Sequence, residues 1–155
     1  MDEGLLIRRH HLPHWQAGGS CYFVTFRSAR GDLPAAARRA VLEVLRHGDG
    51  GRYDLFAAVA MPDHVHCILR PLQVSSGRWH DLGRVLRTLK GVSARRVNHV
   101  LHTKGKLWQS ESWDRIVRSR SELEDALHYI QMNPVTRGLV RQPQEYEFVV
   151  VLVVP

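Results

Sequence analysis

The order of hydrophobic patterns along the chain predicts an α+β fold: an antiparallel sheet with helices packed on one face, a sandwich of ferredoxin-like type. Three observations carry this expectation. Short runs rich in β-branched and aromatic residues recur at 21–26, 53–60, 64–71 and 146–154, the signature of strands. Between them, 35–47, 82–101 and 121–133 repeat their apolar residues at helical spacing. The connection Met61-Pro62-Asp63 is so short that the strands it joins must be antiparallel neighbours. With a brief strand at 113–118, the order becomes strand, helix, strand, strand, helix, short strand, helix, strand. No repeat, low-complexity tract or linker interrupts it, so a single domain over 1–155 is expected.

Taken in order, residues 1–19 read as a loop-like basic N-terminal arm. Residues 1–7 are expected as a solvated tail, and Arg8 and Arg9 as cations laid along a phosphate backbone. His10, His11 and His14 have a spacing that fits no standard metal site. The strand Cys21–Phe26 follows, and Pro34 suits the first turn of a helix carrying Ala37, Val41, Val44 and Leu45 on one side. Gly48-Asp49-Gly50-Gly51 stops that helix. After the hairpin, 72–80 reads as a polar loop.

The long helix 82–101 has an apolar stripe of Leu82, Val85, Leu86, Leu89, Val92, Val97 and Val100. Arg84, Arg87, Lys90, Arg95 and Arg96 lie beside it with no acidic residue in the segment. Such charges often form only a solvated face, but five of one sign favour a surface turned toward phosphates. Trp108 and Trp113 read as core packing, with base stacking as the alternative. The last helix is expected to open at Ser121 with an S-x-x-E capping box and to end near Asn133, before Pro134. Leu123, Ala126, Leu127 and Ile130 form its stripe, with Tyr129 and Asn133 beside it on one flank.

Composition narrows the function classes. The 155 residues are 44% hydrophobic and 24% charged, ordinary values for a globular protein, but the formal net charge is +7. That surplus favours a polyanionic partner, nucleic acid before an anionic membrane. Cys21 and Cys67 make no C-x-x-C pair and read as small core residues in a reducing compartment. No N-terminal apolar run resembles a signal peptide, and Phe148–Val154 is too short to span a bilayer, so a cytoplasmic protein with no membrane partner is expected.

Candidate chemistry centres on His64-Val65-His66. Side chains alternate along a strand, so both imidazoles point to one face and can grip one divalent cation. Two exposed histidines at a strand end are the plainer alternative. If the last helix reaches them, Asn133 can supply a third, oxygen ligand, and Tyr129 a phenol nucleophile for a phosphodiester. Mixed nitrogen and oxygen ligation suits Mn²⁺ more readily than Mg²⁺. A half-buried aromatic at 129 and a helix-end cap at 133 account for the same residues without chemistry.

The segments YFVTFR, AVAMPDHVHCILRP, LKG, LWQSESWDRIVRS and HYIQMNPVTRGLV, in this order, resemble the REP-associated tyrosine transposases, of the HUH class within the IS200-like superfamily. The likeness covers residues 8–142, and HVH joined to YI-x-x-NP 63 positions later is its most specific part. It implies a ferredoxin-like fold, Mg²⁺ or Mn²⁺, and cleavage of single-stranded DNA beside REP-like hairpins through a 5′-phosphotyrosine. It places the metal on His64, His66 and Asn133 and the nucleophile at Tyr129, in a nucleoid-associated protein whose monomeric or homodimeric state stays open. The end, EFVVVLVVP, departs from the family pattern by lacking a Trp- and Ser-containing tail. A non-catalytic single-strand-binding module of the same fold is the competing reading. Chain length argues against a rolling-circle initiator, and Ile68, two positions beyond His66, against a histidine-triad hydrolase.

Overall fold

The computed structural model describes residues 19–152, so Arg8, Arg9 and the early histidines lie outside the described residues. Strands β1 (Cys21–Ser28), β2 (Tyr53–Ala60), β3 (His64–Pro71), β6 (Trp108–Val117) and β7 (Val149–Val151) form one antiparallel sheet in the order β6-β1-β3-β2-β7. Helix α1 (Ala35–Gly48) carries the chain from β1 to β2, with β3 inserted between the two strands, and α2 (Leu82–Leu101) carries it from β3 back to β6. This split βαβ arrangement is the ferredoxin-like order that the sequence predicts, extended by β7 at the β2 edge. A small hairpin of β4 (Gln73–Ser75) and β5 (Arg78–Trp79) occupies the segment expected as a loop.

Pairing register decides what each face carries, because residues directly across an antiparallel ladder share a face. Phe26 lies across from Val65, Val24 from Cys67 and Tyr22 from Leu69. Phe26 on this face meets Trp108 edge-on at 4.6 Å, and the Trp108 indole N–H donates to Ser93 Oγ of α2 at 2.9 Å. Tyr53 of β2 donates its hydroxyl to the Leu45 carbonyl of α1 at 2.8 Å. Helices α1 and α2 therefore cover this face together. The opposite face carries Phe23, Thr25, His64 and His66, and the third helix, α3 (Arg120–Thr136), lies over it, with Tyr129 against the rings of Phe23 and His66. The expectation that the helices share one face thus holds for two of the three. The reason is chemical: β2 and β3 are buried on both sides, so their second face also needs a cover.

Three local expectations are corrected. Ser119, two residues before Ser121, caps α3: its hydroxyl accepts from the Glu122 N–H, while Glu122 reaches back to the Arg118 N–H. The sequence contains two overlapping S-x-x-E runs, and the earlier one closes directly onto the end of β6. At the other end α3 passes through Pro134 to Thr136. A proline so near the end removes one donor only, and Gly138, at φ +74°, lets the closing N–H groups of Gly138 and Leu139 reach Val135 and Pro134 carbonyls. The strand expected at 113–118 begins at Trp108 and runs ten residues, because β1 offers it an edge to pair with along most of its length.

Both cysteines are buried and free, and burial pushes each thiol up to about 12. Among the described residues no helix is long and apolar enough to cross a membrane. Phe26 is fully buried at the centre of the two-helix face. Phe26→Ala should therefore cost about 3–5 kcal/mol in chemical denaturation; a loss under about 1 kcal/mol would mean that this face is not the main core.

Candidate active site

The turn Met61-Pro62-Asp63 sets the site's position. Met61 N–H donates to the His64 carbonyl, Ser28 N–H to the Asp63 carbonyl and Leu33 N–H to the Pro62 carbonyl, so the turn is tied to both ends of the β1–α1 connection. His64 and His66 follow on the face that α3 covers, their ring centres 4.6 Å apart. Both are buried. The reading of two exposed histidines at a strand end is therefore excluded.

Each imidazole is held through Nδ1. Asp63 Oδ1 lies 2.6 Å from His64 Nδ1, and an ionised carboxylate only accepts, so Nδ1 carries the proton and Nε2 is left as a lone pair. Thr25 Oγ1 lies 2.7 Å from His66 Nδ1 and can play the same part. Burial pulls His64 below the ordinary imidazole range, against the pull of Asp63. Burial first, then the charges of His64, Arg27 and Arg137, lower His66 to about 3. Its hydrogen bond to His64 holds the Asp63 carboxyl below the usual range. Two neutral imidazoles with outward lone pairs are the protonation state that a cation requires.

Four buried side-chain polar atoms have no hydrogen-bond partner among the described residues: His64 Nε2, His66 Nε2, Asn133 Oδ1 and Arg38 Nε. Three of the four belong to the residues named from the sequence as metal ligands. Leaving such an atom unpaired costs about 1–3 kcal/mol, which makes an orphaned set informative. Asn133 is 2% exposed and lies within the buried stripe of α3 rather than beside it, one turn beyond Ile130. Its backbone carbonyl accepts from Arg137 N–H, but its side-chain oxygen caps nothing. Among the described residues no group of three His, Cys, Asp or Glu forms a metal cluster, so a site here depends on the amide as a third donor. The donor set fits a cation that accepts nitrogen and oxygen together.

Tyr129 is 48% exposed and lies beside His66, its ring centre 5.4 Å from that of His66 and 5.8 Å from that of Phe23. Arg27 lies across the ladder from His64, and the fields of Arg27 and Arg137 reach both histidines. Neither arginine stands out in the sequence, nor do Thr25 and Asp63 as histidine partners; only Asp63, adjacent to HVH, carried a local signal. The basic residues of α2 are not brought to this site. They lie on the helix covering the opposite face, where Arg84, Arg87, Arg95 and Arg96 are exposed. Lys90 instead donates to the Gln109 carbonyl and the Ser112 hydroxyl of β6 at 2.8 and 3.0 Å.

The buried histidines make stability depend on pH. A histidine whose folded pKa is depressed is protonated first in the unfolded chain. Stability of the metal-free protein should therefore fall as pH drops from 6.5 toward about 3, with Asp63 adding to the loss at the acid end. Urea unfolding at about pH 7.5 and about pH 5 should show this drop, and His66→Gln should flatten it; equal slopes for both proteins would contradict the burial of a neutral His66.

Comparison with known proteins identifies the family of the chain. The family model described as "Transposase IS200 like" matches residues 39–133. The REP-associated tyrosine transposase of Escherichia coli (strain K12) is 26% identical over 149 residues, covering 91% of this chain and 79% of that protein. A solved REP-associated tyrosine transposase bound to a REP hairpin shares the fold, with a TM-score of 0.64 at 23% identity over 90% of this chain and 81% of that one. The family match takes in both histidines, Tyr129 and Asn133 and more than half of the chain, which therefore belongs to the IS200-like transposase family.

Proposed function

We propose that the protein nicks and rejoins single-stranded DNA beside REP-like hairpins, with Tyr129 as nucleophile and a divalent cation on His64, His66 and Asn133. The reading is supported by three buried side-chain atoms without a hydrogen-bond partner, His64 Nε2, His66 Nε2 and Asn133 Oδ1, and by an exposed tyrosine whose ring meets that of His66. The relative and the solved structure that are named for REP supply the substrate class. Mg²⁺ and Mn²⁺ are the candidate ions, and the two imidazoles favour Mn²⁺. When bound, the ion supplies Lewis-acid polarisation of a phosphoryl oxygen.

The chain's own residues do the rest. Tyr129 Oη loses its proton and attacks the phosphorus; the bond from phosphorus to the 3′ oxygen breaks, leaving a 3′ hydroxyl and a 5′-phosphotyrosine. Attack by a 3′ hydroxyl on that ester reverses the step and restores both the phosphodiester and the phenol, so no external energy source is needed. Arg27 and Arg137 bias the site toward a bound phosphate. Arg84, Arg87, Lys90, Arg95 and Arg96 remain proposed DNA contacts away from the reacting group, and Arg8 and Arg9, outside the described residues, remain proposed contacts as well. Those on α2 would meet a substrate that reaches around the sheet, and Lys90 only if it leaves β6.

A labelled hairpin oligonucleotide with single-stranded flanks, incubated with Mn²⁺, should give a covalent protein–DNA band on a denaturing gel. Tyr129→Phe, His64→Ala and chelation should each abolish it while salt-sensitive binding persists. Binding without a band across several hairpins would support the non-catalytic module instead. Asp63→Asn should raise the Mn²⁺ concentration for half-maximal adduct by about 10- to 100-fold, because it weakens the hold on His64 Nδ1; an unchanged requirement would remove Asp63 from the site.

A further inference from the structure

Helix α3 packs over β2, β3 and β7, and the outer side of the same face, on β1 and β6, carries side chains that the transfer step above does not use. Strand β6 forms that edge of the sheet and is exposed at nearly every position from Gln109 to Ile116. Trp108 is buried, but Trp113 is 47% exposed, so core packing does not account for it. Trp113 lies directly across from Thr25, and Thr25 directly across from His66, so indole, hydroxyl and imidazole form one cross-sheet row. In the next row Arg115 lies across from Phe23, its guanidinium carbon 4.8 Å from the Phe23 ring centre. Phe23 in turn touches the rings of His66 and Tyr129. The acidic neighbour Asp114 pairs with Val24 and so belongs to the other face.

We propose that Trp113 and Arg115 form the track that carries the single strand into the reaction centre, the indole stacking on one base and the guanidinium holding an adjoining phosphate. An exposed aromatic on an open sheet can take the face of any unpaired base, and a cation two residues along the strand suits the backbone. Base pairs within a duplex already stack on each other, so this surface selects single strands. Arg27 lies on the same face, across from His64, so that Arg27 and Arg115 both offer a cation to an anionic chain there, against the exposed carboxylate of Glu111 on β6. The inference rests on the reading that the Tyr129 site acts on DNA.

The test uses fluorescence anisotropy with chelator present, in the full chain carrying Tyr129→Phe so that no cleavage intervenes. The probes are a labelled oligothymidylate of about 15 nucleotides and a duplex of similar length. Trp113→Ala should weaken oligothymidylate binding about tenfold, leave duplex binding within about twofold, and be largely rescued by Trp113→Phe. The slope of log binding constant against log salt should be unchanged in Trp113→Ala and fall in magnitude by about 0.7 in Arg115→Ala, as expected for one lost phosphate contact to a single strand. Unchanged binding by Trp113→Ala, equal losses on both probes, or no oligothymidylate binding by the parent would each overturn the proposal. Failure of the unsubstituted protein, with Tyr129 intact and Mn²⁺ present, to form a covalent adduct while this pattern holds would sink the catalytic reading and leave the track standing.

Discussion

Two imidazoles buried side by side with their Nε2 atoms unsatisfied are an expensive feature, and the surrounding structure is arranged to keep them so. Each Nδ1 is engaged from the side: Asp63 leaves the lone pair of His64 on Nε2, and Thr25, when it accepts from His66 Nδ1, does the same for His66. Burial and the nearby arginines hold the rings neutral. A core that needed only to be stable would have apolar side chains here, since an unpaired buried polar group costs about 1–3 kcal/mol. The cost is explained if a cation completes the set, with Asn133 Oδ1 as its third protein donor.

The sheet separates two tasks. On one face α1 and α2 bury Phe26, Trp108 and their neighbours, and the few polar groups there are paired, as Ser93 is with the Trp108 indole. The other face carries the histidines, and α3 covers only its inner part. A bulge in β2 between Leu55 and Ala57 brings Ala57 and Val59 onto this face, so that small or β-branched residues lie beside Ile68 and His66 beneath the helix. Tyr129 stands where that cover ends, with the exposed β6 edge beyond it. Paired and apolar packing thus lies under the two-helix face, and the unpaired histidine nitrogens and the exposed Tyr129 and Trp113 lie on the other.

Much of this was legible in the residues. Period-two alternation in HVH placed both imidazoles on one face, and the apolar stripe of the long helix gave its bounds, Leu82–Leu101, as observed. The less legible parts depend on pairing between distant segments. Thr25 becomes a partner of His66 only through the register of β1 with β3, across 41 residues, and nothing local marks it. Trp113 faces solvent because β6 ends the sheet, which composition cannot reveal. Asn133 lies in the buried stripe of α3 and not on its flank because it stands three residues beyond Ile130 and seven beyond Ala126, a spacing that its polar side chain masked in the sequence. The charge of α2 was legible, but its place on the far face was not.

The central claim is that His64, His66 and Asn133 hold one divalent cation, and it is tested most directly by pulsed electron paramagnetic resonance of the protein titrated with Mn²⁺. The account predicts one tightly bound Mn²⁺ per chain with nitrogen couplings from two imidazoles, one of which disappears in His64→Gln and the other in His66→Gln. Bound Mn²⁺ whose nitrogen couplings survive both substitutions, or a protein that binds no Mn²⁺, would contradict it.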